Sequence, residues 1–461
     1  MKKMLDNETM AAISTPLGEG GIGIIRVSGD NVLGILKKIF ISHQGSLDFK
    51  PHQMRYGKII NPANNKTIDL VLVSYMKAPK TYTKEDILEI NVHGGIMPLR
   101  EVLNVVLENG ARLAQPGEFT KRAFLNGRID LTQAEAVIDV IRAKTEESLK
   151  IAMTQLQGGL KERVAEIQSL LIQLSAKIEL QVDFSEEDIE EFSHQELIKE
   201  ALLIKERLDK LLRTFKTGKI YKEGLKVAII GKPNVGKSSL LNELLGEERA
   251  IVTPFPGTTR DTIEETINLN GLPLQLIDTA GIRDTNCQIE KEGLKRTKNS
   301  IEIADLVLLV LDSSNFLSKE DIEIINQTKD KEKIWVINKI DLPSKLKIEE
   351  LEIEDQKHLV KTSIIKKSGM EDLKSKIKEI FLKGKIFPKD GLYITNIRHF
   401  QALQESFKFL KKAIQALNKS LPFELVNIDL KEALDSLGVI VGETVSDDIL
   451  NEIFSNFCIG K

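Results

Sequence analysis

Gly231-Lys232-Pro233-Asn234-Val235-Gly236-Lys237-Ser238 matches G-x-x-x-x-G-K-[ST] between an apolar run at 225–230 and a second one at 240–245. No other feature restricts the fold as strongly, because the motif has meaning only as a turn from a buried strand into a helix. The glycines let backbone N–H groups approach phosphate oxygens, and the helix N-terminus favours negative charge. Lys237 then reaches the β and γ oxygens, and the Ser238 hydroxyl can ligate Mg²⁺. Further apolar runs at 274–277, 306–311 and 334–337 alternate with helical stretches, as in a parallel α/β sheet.

Three later segments complete a nucleotide site. Asp278-Thr279-Ala280-Gly281 follows the 274–277 run, where a carboxylate can hold Mg²⁺ through water and a glycine N–H can sense the γ-phosphate. Switch I is expected over Thr253, Pro254, Phe255, Pro256, Gly257, Thr258 and Thr259, with Thr259 completing the Mg²⁺ shell. Asn338-Lys339-Ile340-Asp341 sets the base, since the acceptor-only Asp341 carboxylate suits the N1–H and exocyclic amine of guanine. GTP is therefore expected, with Val235, Gly236 and Ser239 lining its phosphates. The last guanine loop, Thr362-Ser363-Ile364-Ile365-Lys366, departs from the usual S-A-K.

A glutamine after the switch II glycine orients the attacking water in Ras-like GTPases. Here that position is Ile282, which cannot do so. Glu290, Arg283 and a bound cation are the candidates, Glu290 first as an acceptor for water or a water chain. The Asn234 amide oxygen can hold a monovalent cation beside the phosphates.

At 461 residues the chain exceeds one hydrophobic core, and about three domains are expected. The 65 Lys+Arg nearly cancel the 68 Asp+Glu, so a nucleic-acid partner must be met by a local basic patch. Two cysteines, Cys287 and Cys458, exclude a disulfide framework or a zinc spacing, and favour a reducing cytosol. The first residues lack an apolar signal core and the longest apolar run, 306–311, is far too short to span a bilayer, so a soluble cytoplasmic protein is expected.

Short β-branched runs at 23–27, 59–60, 68–75 and 87–92 predict a small α+β domain. Thr132-Gln133-Ala134-Glu135 has the form of a capping box, and Leu156, Leu160, Val164, Ile167, Leu171, Leu174 and Ile178 form one helical stripe. An acidic stretch, 185–191, reads as a solvated helix start before a helix over 195–215. Helices return at 400–417 and 429–437. The expected boundaries are 1–125 for the α+β domain, 126–222 for a first helical part, 223–383 for the GTPase domain and 384–461 for a second helical part.

The chain resembles the bacterial tRNA-modification GTPases of the MnmE (TrmE) family along nearly its whole length. The likeness is carried by residues 20–29, by Glu85-Asp86-Ile87-Leu88-Glu89 with His93-Gly94-Gly95, by Pro116-Gly117-Glu118-Phe119-Thr120 through Leu131, by the inserted GTPase and by Cys458-Ile459-Gly460-Lys461. The resemblance implies a multidomain α/β protein: an α+β folate-binding domain, a split all-helical domain and a Ras-like, potassium-dependent GTPase domain. It implies a homodimer formed through the N-terminal domain, with GTPase domains that meet during hydrolysis. It also implies a flavoprotein partner, MnmG, in a heterotetramer that builds carboxymethylaminomethyl on C5 of the tRNA wobble uridine, using a one-carbon unit on 5-formyl- or 5,10-methylene-tetrahydrofolate.

By position, Asn234, Thr253, Phe255 (through its backbone) and Thr258 match K⁺ ligands, Ser238 and Thr259 the Mg²⁺ ligands, and Glu290 the catalytic glutamate. Arg26, Glu89, Arg128 and Lys461 match the folate contacts. Lys84 stands where the family commonly has glycine, and Cys458 is a possible nucleophile or acid/base near the folate, though the sequence offers it no basic partner. A packing or turn role is expected for His93. Two other readings are a switch-type GTPase controlling RNA or ribosome-assembly binding, and a folate enzyme regulated by its GTPase.

Overall fold

The computed structural model describes residues 8–43, 45, 49–183, 192–248, 265–277, 298–351, 358–382, 387–388 and 390–461. By compactness the chain divides into two units, residues 1–138 with 438–461, and residues 139–437.

The first unit holds a seven-stranded sheet. Its strands are β1 (Met10–Ile13), β2 (Gly20–Ser28), β3 (Phe40–Ser42), β4 (Met54–Ile60), β5 (Thr67–Met76), β6 (Ile87–Gly94) and β7 (Arg112–Leu113), in the order β3-β4-β5-β6-β2-β1-β7. All pairs are antiparallel except β1 with β7. Period-two alternation sends Ile25, Val27, Val71, Val73, Leu88 and Ile90 to one face. There they meet α1 (Val32–Ile39) and α2 (Ile96–Glu108) in one core. On the opposite face Arg26 lies across from Glu89.

The capping box expected at Thr132 is displaced. Helix α4 (Leu131–Arg142), after α3 (Glu118–Leu125), is capped by Asp130, whose Oδ1 accepts from the N–H groups of Thr132 (2.8 Å) and Gln133 (3.1 Å). Gln133 Oε1 in turn accepts from the Asp130 N–H. Aspartate caps at least as well as threonine, and Gln133 sits at the third helical position where the reciprocal bond is made.

The expected stripe from Leu156 to Ile178 also breaks. α5 (Glu146–Leu156) stops before Gly158, which has φ +97°, and α6 (Gly159–Asp183) buries the stripe from Leu160 onward. A left-handed residue ends a helix, and glycine takes that conformation without a Cβ clash. α6 lies beside α7 (His194–Glu223), which starts on a capping box between Ser193 and Glu196. The acidic stretch 185–191 lies outside the described residues, as does Cys287.

From Gly224 the second unit forms a six-stranded sheet of β8 (Leu225–Ile230), β9 (Glu265–Leu269), β10 (Leu272–Ile277), β11 (Leu306–Asp312), β12 (Lys333–Asn338) and β13 (Leu359–Lys361). The order is β13-β12-β11-β8-β10-β9, parallel except for the β9–β10 hairpin. That hairpin turns on Asn270-Gly271, both at positive φ, the strand twist's preferred two-residue loop. Both sheet faces are covered, one by α8 (Lys237–Glu248) and α10 (Met370–Leu382), the other by residues including Ile301 and the partly buried Ile324 of α9 (Lys319–Gln327). This is the Ras-like architecture expected, with β8 at the point where strand order reverses. α11 (Ile397–Asn418) packs along α7, with Phe400 stacked on Phe215 at 4.2 Å. α12 (Phe423–Val441) and α13 (Asp447–Ser455) follow.

Candidate functional site

Three loops converge at the carboxyl ends of β8, β12 and β13, where open α/β sheets bind ligands. The phosphate loop leaves β8 at Gly231, whose backbone lies so close to β11 that a Cβ would sit 2.4 Å from the Val310 carbonyl oxygen. Gly236 has φ +105° and a Cβ there would stand 2.2 Å from the Asn338 amide nitrogen, so both motif glycines are required by space as well as by conformation. Lys237 opens α8 and donates to the Lys232 carbonyl at 2.8 Å, which curls its ammonium across the loop. Burial pushes its pKa below the usual lysine value, an expense that a polyphosphate would offset. Ser238 and Ser239 occupy the same first turn, and Val235 is buried beneath it.

Lys232 anchors the loop to the start of α9 through Asp321 at 2.8 Å. That carboxylate also completes a capping box with Ser318. Asn234 has φ +63°, and its exposed side chain makes no hydrogen bond among the described residues. Its amide oxygen thus faces solvent.

The guanine motif is wired to this loop. Asn338 donates to the Val235 carbonyl at 2.8 Å and accepts from Thr362 Oγ1 at 3.3 Å. Lys339, at φ +62°, donates to the Asn234 carbonyl and to Asp312 Oδ2, both at 2.7 Å. Burial raises the Asp312 pKa, but bonds from Lys339 and Ser314 outweigh it and hold the carboxyl below its ordinary range. Asp341 Oδ1 accepts from Ser363 Oγ at 2.5 Å, and that bond lowers its pKa, keeping the carboxylate ionised and acceptor-only. The Ile340 N–H donates to the Thr362 carbonyl, so the loop after β13 is the one that meets the guanine motif despite its unusual sequence.

Asp312 was not picked out from the sequence, and Lys232 and Ser363 were named there only as members of the phosphate-loop and last guanine-loop runs, without a role of their own. Only Ser363 carried a signal, as the hydroxyl residue just past a buried strand. Thr253, Pro254, Phe255, Pro256, Gly257, Thr258 and Thr259, Asp278, Thr279, Ala280 and Gly281, and Ile282, Arg283 and Glu290 lie outside the described residues.

A second constellation stands in the first unit. Residues 458–461 dock on β1 and β2: the Gly460 carbonyl accepts from Ser14 Oγ at 3.1 Å and Arg26 Nη1 at 3.3 Å. Gly460, at φ +92°, passes so close that a Cβ would lie 2.4 Å from the Ile13 carbonyl oxygen. Arg26 binds Glu89 Oε1 through Nε at 3.0 Å and Nη2 at 2.8 Å, and lies over the Phe119 ring. Half-buried Lys461 has its pKa lowered first by burial and then by Arg26, with Cys458 and Glu89 opposing. The Lys461 N–H donates to the Cys458 carbonyl at 3.4 Å, and the Cys458 thiol is exposed. Arg128 lies over the Tyr82 ring at 5.5 Å and donates to the Thr81 carbonyl, and the Tyr82 hydroxyl is bonded to Thr120.

Lys84 adopts φ +61° and donates to the Gly127 carbonyl at 3.0 Å. Its backbone conformation is one that glycine takes freely, so the loop leading to Glu89 keeps a glycine-type shape with lysine in place. His93 is paired with Asp69, Nδ1 to Oδ1 at 2.6 Å, at the sheet surface.

The family model described as the MnmE helical domain matches residues 131–458, and the one described as the GTP-binding protein TrmE N-terminus matches 9–128. A tRNA modification GTPase MnmE from Alkaliphilus metalliredigens is 48% identical over 99% of this chain and 100% of its own. The protein of that name from Thermoanaerobacter pseudethanolicus is 49% identical over 98% of this chain and 99% of its own. The solved G domain of the T. maritima FeoB iron transporter is 31% identical over 34% of this chain and 97% of its own, with a TM-score of 0.24.

Proposed function

The chain belongs to the family of the tRNA modification GTPase MnmE, and on that premise we propose that it hydrolyses GTP in order to add, with a flavoprotein partner (MnmG), a carboxymethylaminomethyl group to C5 of the tRNA wobble uridine. The observation that carries the reading is the docking of residues 458–461 against Arg26 and Glu89. It gathers three cations, one carboxylate and the rings of Tyr82 and Phe119 in one unit. Cations suit the glutamate tail of a tetrahydrofolate, and rings with a carboxylate suit its pterin. Arg26, Glu89, Arg128 and Lys461 would hold the folate, which supplies the one-carbon unit when bound. Cys458, in the same terminal segment as Lys461, is the candidate acid/base.

In the nucleotide site, water attacks the γ-phosphorus of GTP, the bond to the bridging oxygen breaks, and GDP and phosphate leave. Ser238 and Thr259 would hold Mg²⁺, which neutralises charge on the β and γ oxygens. Asn234, Thr253, the Phe255 carbonyl and Thr258 would hold K⁺, and Glu290 accepts the water's proton directly or through a second water. Asp278 and Gly281 act as the switch II pair.

A homodimer fits the first unit, where Ile41, Tyr56, Leu70 and Leu72 are exposed on one face of β3, β4 and β5, the face opposite the core. An apolar patch of this kind calls for a cover. Among the described residues no helix is long and apolar enough to cross a membrane. We place the protein in the cytoplasm with its tRNA substrate.

The decisive experiment is nucleoside mass spectrometry of tRNA from cells lacking this chain. Loss of the C5-modified wobble uridine, restored by the intact gene and not by an Arg26→Ala variant, is expected. An unchanged profile overturns the reading and favours a switch-type GTPase. Hydrolysis is also expected to run about tenfold or more faster in KCl than in NaCl, because a charge-neutralising partner at the phosphates carries several kcal/mol of catalysis. Equal rates would remove the potassium assignment. Glu290→Ala is expected to lower kcat about 100-fold with the GTP affinity retained; loss of binding would instead assign Glu290 a structural role.

A further inference from the structure

α11 is the most one-sidedly basic helix of the second unit. In a chain with net charge −3, its 22 residues carry Arg398, Lys408, Lys411 and Lys412 against the single carboxylate of Glu405, and Lys419 follows as its C-cap. Its buried face, which includes Leu403, Leu410 and Leu417, sets the orientation. At 100° per residue, Gln404, Lys408, Lys411, Lys412, Gln415 and Lys419 then share the opposite face, and all six are exposed.

Two phenylalanines flank this row. Lys411 and, from α7, Lys205 both lie 6.0 Å from the centre of the Phe407 ring. Lys412 and Lys408 lie 4.8 and 5.9 Å from the Phe409 ring. Such contacts hold lysine stems against the surface while leaving the ammonium groups hydrated. Lys408 is partly neutralised by Glu405 at 2.9 Å. Lys412 feels Asp429 of α12, whose own pKa is raised chiefly by burial. Among the described residues, Lys205 and Lys411 have no carboxylate within ion-pair distance.

We infer that this face of α11, with Lys205 of α7, is a docking surface for the phosphate backbone of the tRNA. The inference rests on the tRNA-directed reading of the chain and adds to it the place where the nucleic acid lies. Charge complementarity selects the occupant: amides and lysines are interspersed along about 23 Å of helix, a pattern suited to phosphates and ribose hydroxyls rather than to base edges. Because the whole chain is acidic, the surface acts through local contacts and not through net attraction.

The test uses the full chain and an unmodified tRNA transcript, with binding followed by fluorescence anisotropy over a series of KCl concentrations. The triple variant Lys408→Ala, Lys411→Ala, Lys412→Ala is expected to bind about 10- to 100-fold more weakly at ~0.1 M salt, with the salt slope reduced by about 2–3. GTP hydrolysis without tRNA should be unchanged, and the matching triple arginine variant should bind as the parent does. An unchanged affinity and slope in the alanine variant overturns the surface, and so does an arginine variant that binds no better than the alanine one. Either result would leave the nucleoside profile intact as a separate test of the tRNA-modification reading.

Discussion

Replacing Asp341 with asparagine is expected to weaken GTP binding by about 10²- to 10⁴-fold while making xanthosine triphosphate the preferred ligand. The size follows from the loss of two hydrogen bonds to a charged acceptor, each contributing about 10- to 100-fold in affinity. The Ser363 bond at 2.5 Å fixes one carboxylate oxygen and helps keep the group ionised. An asparagine amide would point a donor at guanine's exocyclic amine, itself a donor. Xanthine carries a carbonyl at that position, and the mismatch disappears. Equilibrium titration with both nucleotides measures the exchange, and retained GTP preference would mean that Asp341 does not read the base. Ser363→Ala is expected to cost about tenfold in GTP affinity, because it removes one neutral-to-charged bond that orients the carboxylate.

Arg122→Ala is expected to destabilise the first unit by about 3–5 kcal/mol, the cost of breaking a buried ion pair from one side. Arg122 is 2% exposed and donates to Glu85 Oε2 at 3.0 Å, Glu118 Oε1 at 3.1 Å and the Glu8 carbonyl at 2.9 Å. Without it Glu118 keeps Arg112, but among the described residues the Glu85 carboxylate keeps only the Ser28 hydroxyl. Calorimetry of the full chain should show the transition containing this unit moving down by roughly 6–20 °C. A shift within 2 °C would show that the network is solvated in solution.

Acid acts on the same network. Burial raises the Glu118 pKa, but Arg112, the Gln115 N–H and Arg122 together outweigh it, so the folded-state value lies below 4.5. Its stabilisation is therefore complete above pH 4.5 and lost as pH falls through the lower folded value. In Arg122→Ala the folded value rises toward the unfolded one, so the acid-dependent loss of stability should shrink.

How much of this was legible before folding depends on whether the partners are neighbours in sequence. Each element of the nucleotide site is a contiguous run whose spacing carries its geometry: a strand, a glycine turn and a helix at 225–245, or a strand followed by Asn338-Lys339-Ile340-Asp341. The absence of a water-orienting glutamine at Ile282 was equally plain. Local rules failed where two solutions lay close in energy, as with Asp130 displacing Thr132 as the helix cap and Gly158 dividing a stripe that periodicity alone would have continued.

What the sequence by itself determined was the presence, order and base preference of a GTP site, because covalent adjacency brings those groups together in any compact fold. Tertiary structure alone decided that Gly460 reaches Arg26 across 434 positions and that Ser363 holds Asp341. Those contacts join segments with no shared period or motif. They exist only because burying the apolar faces of separate elements leaves these few polar groups facing one another.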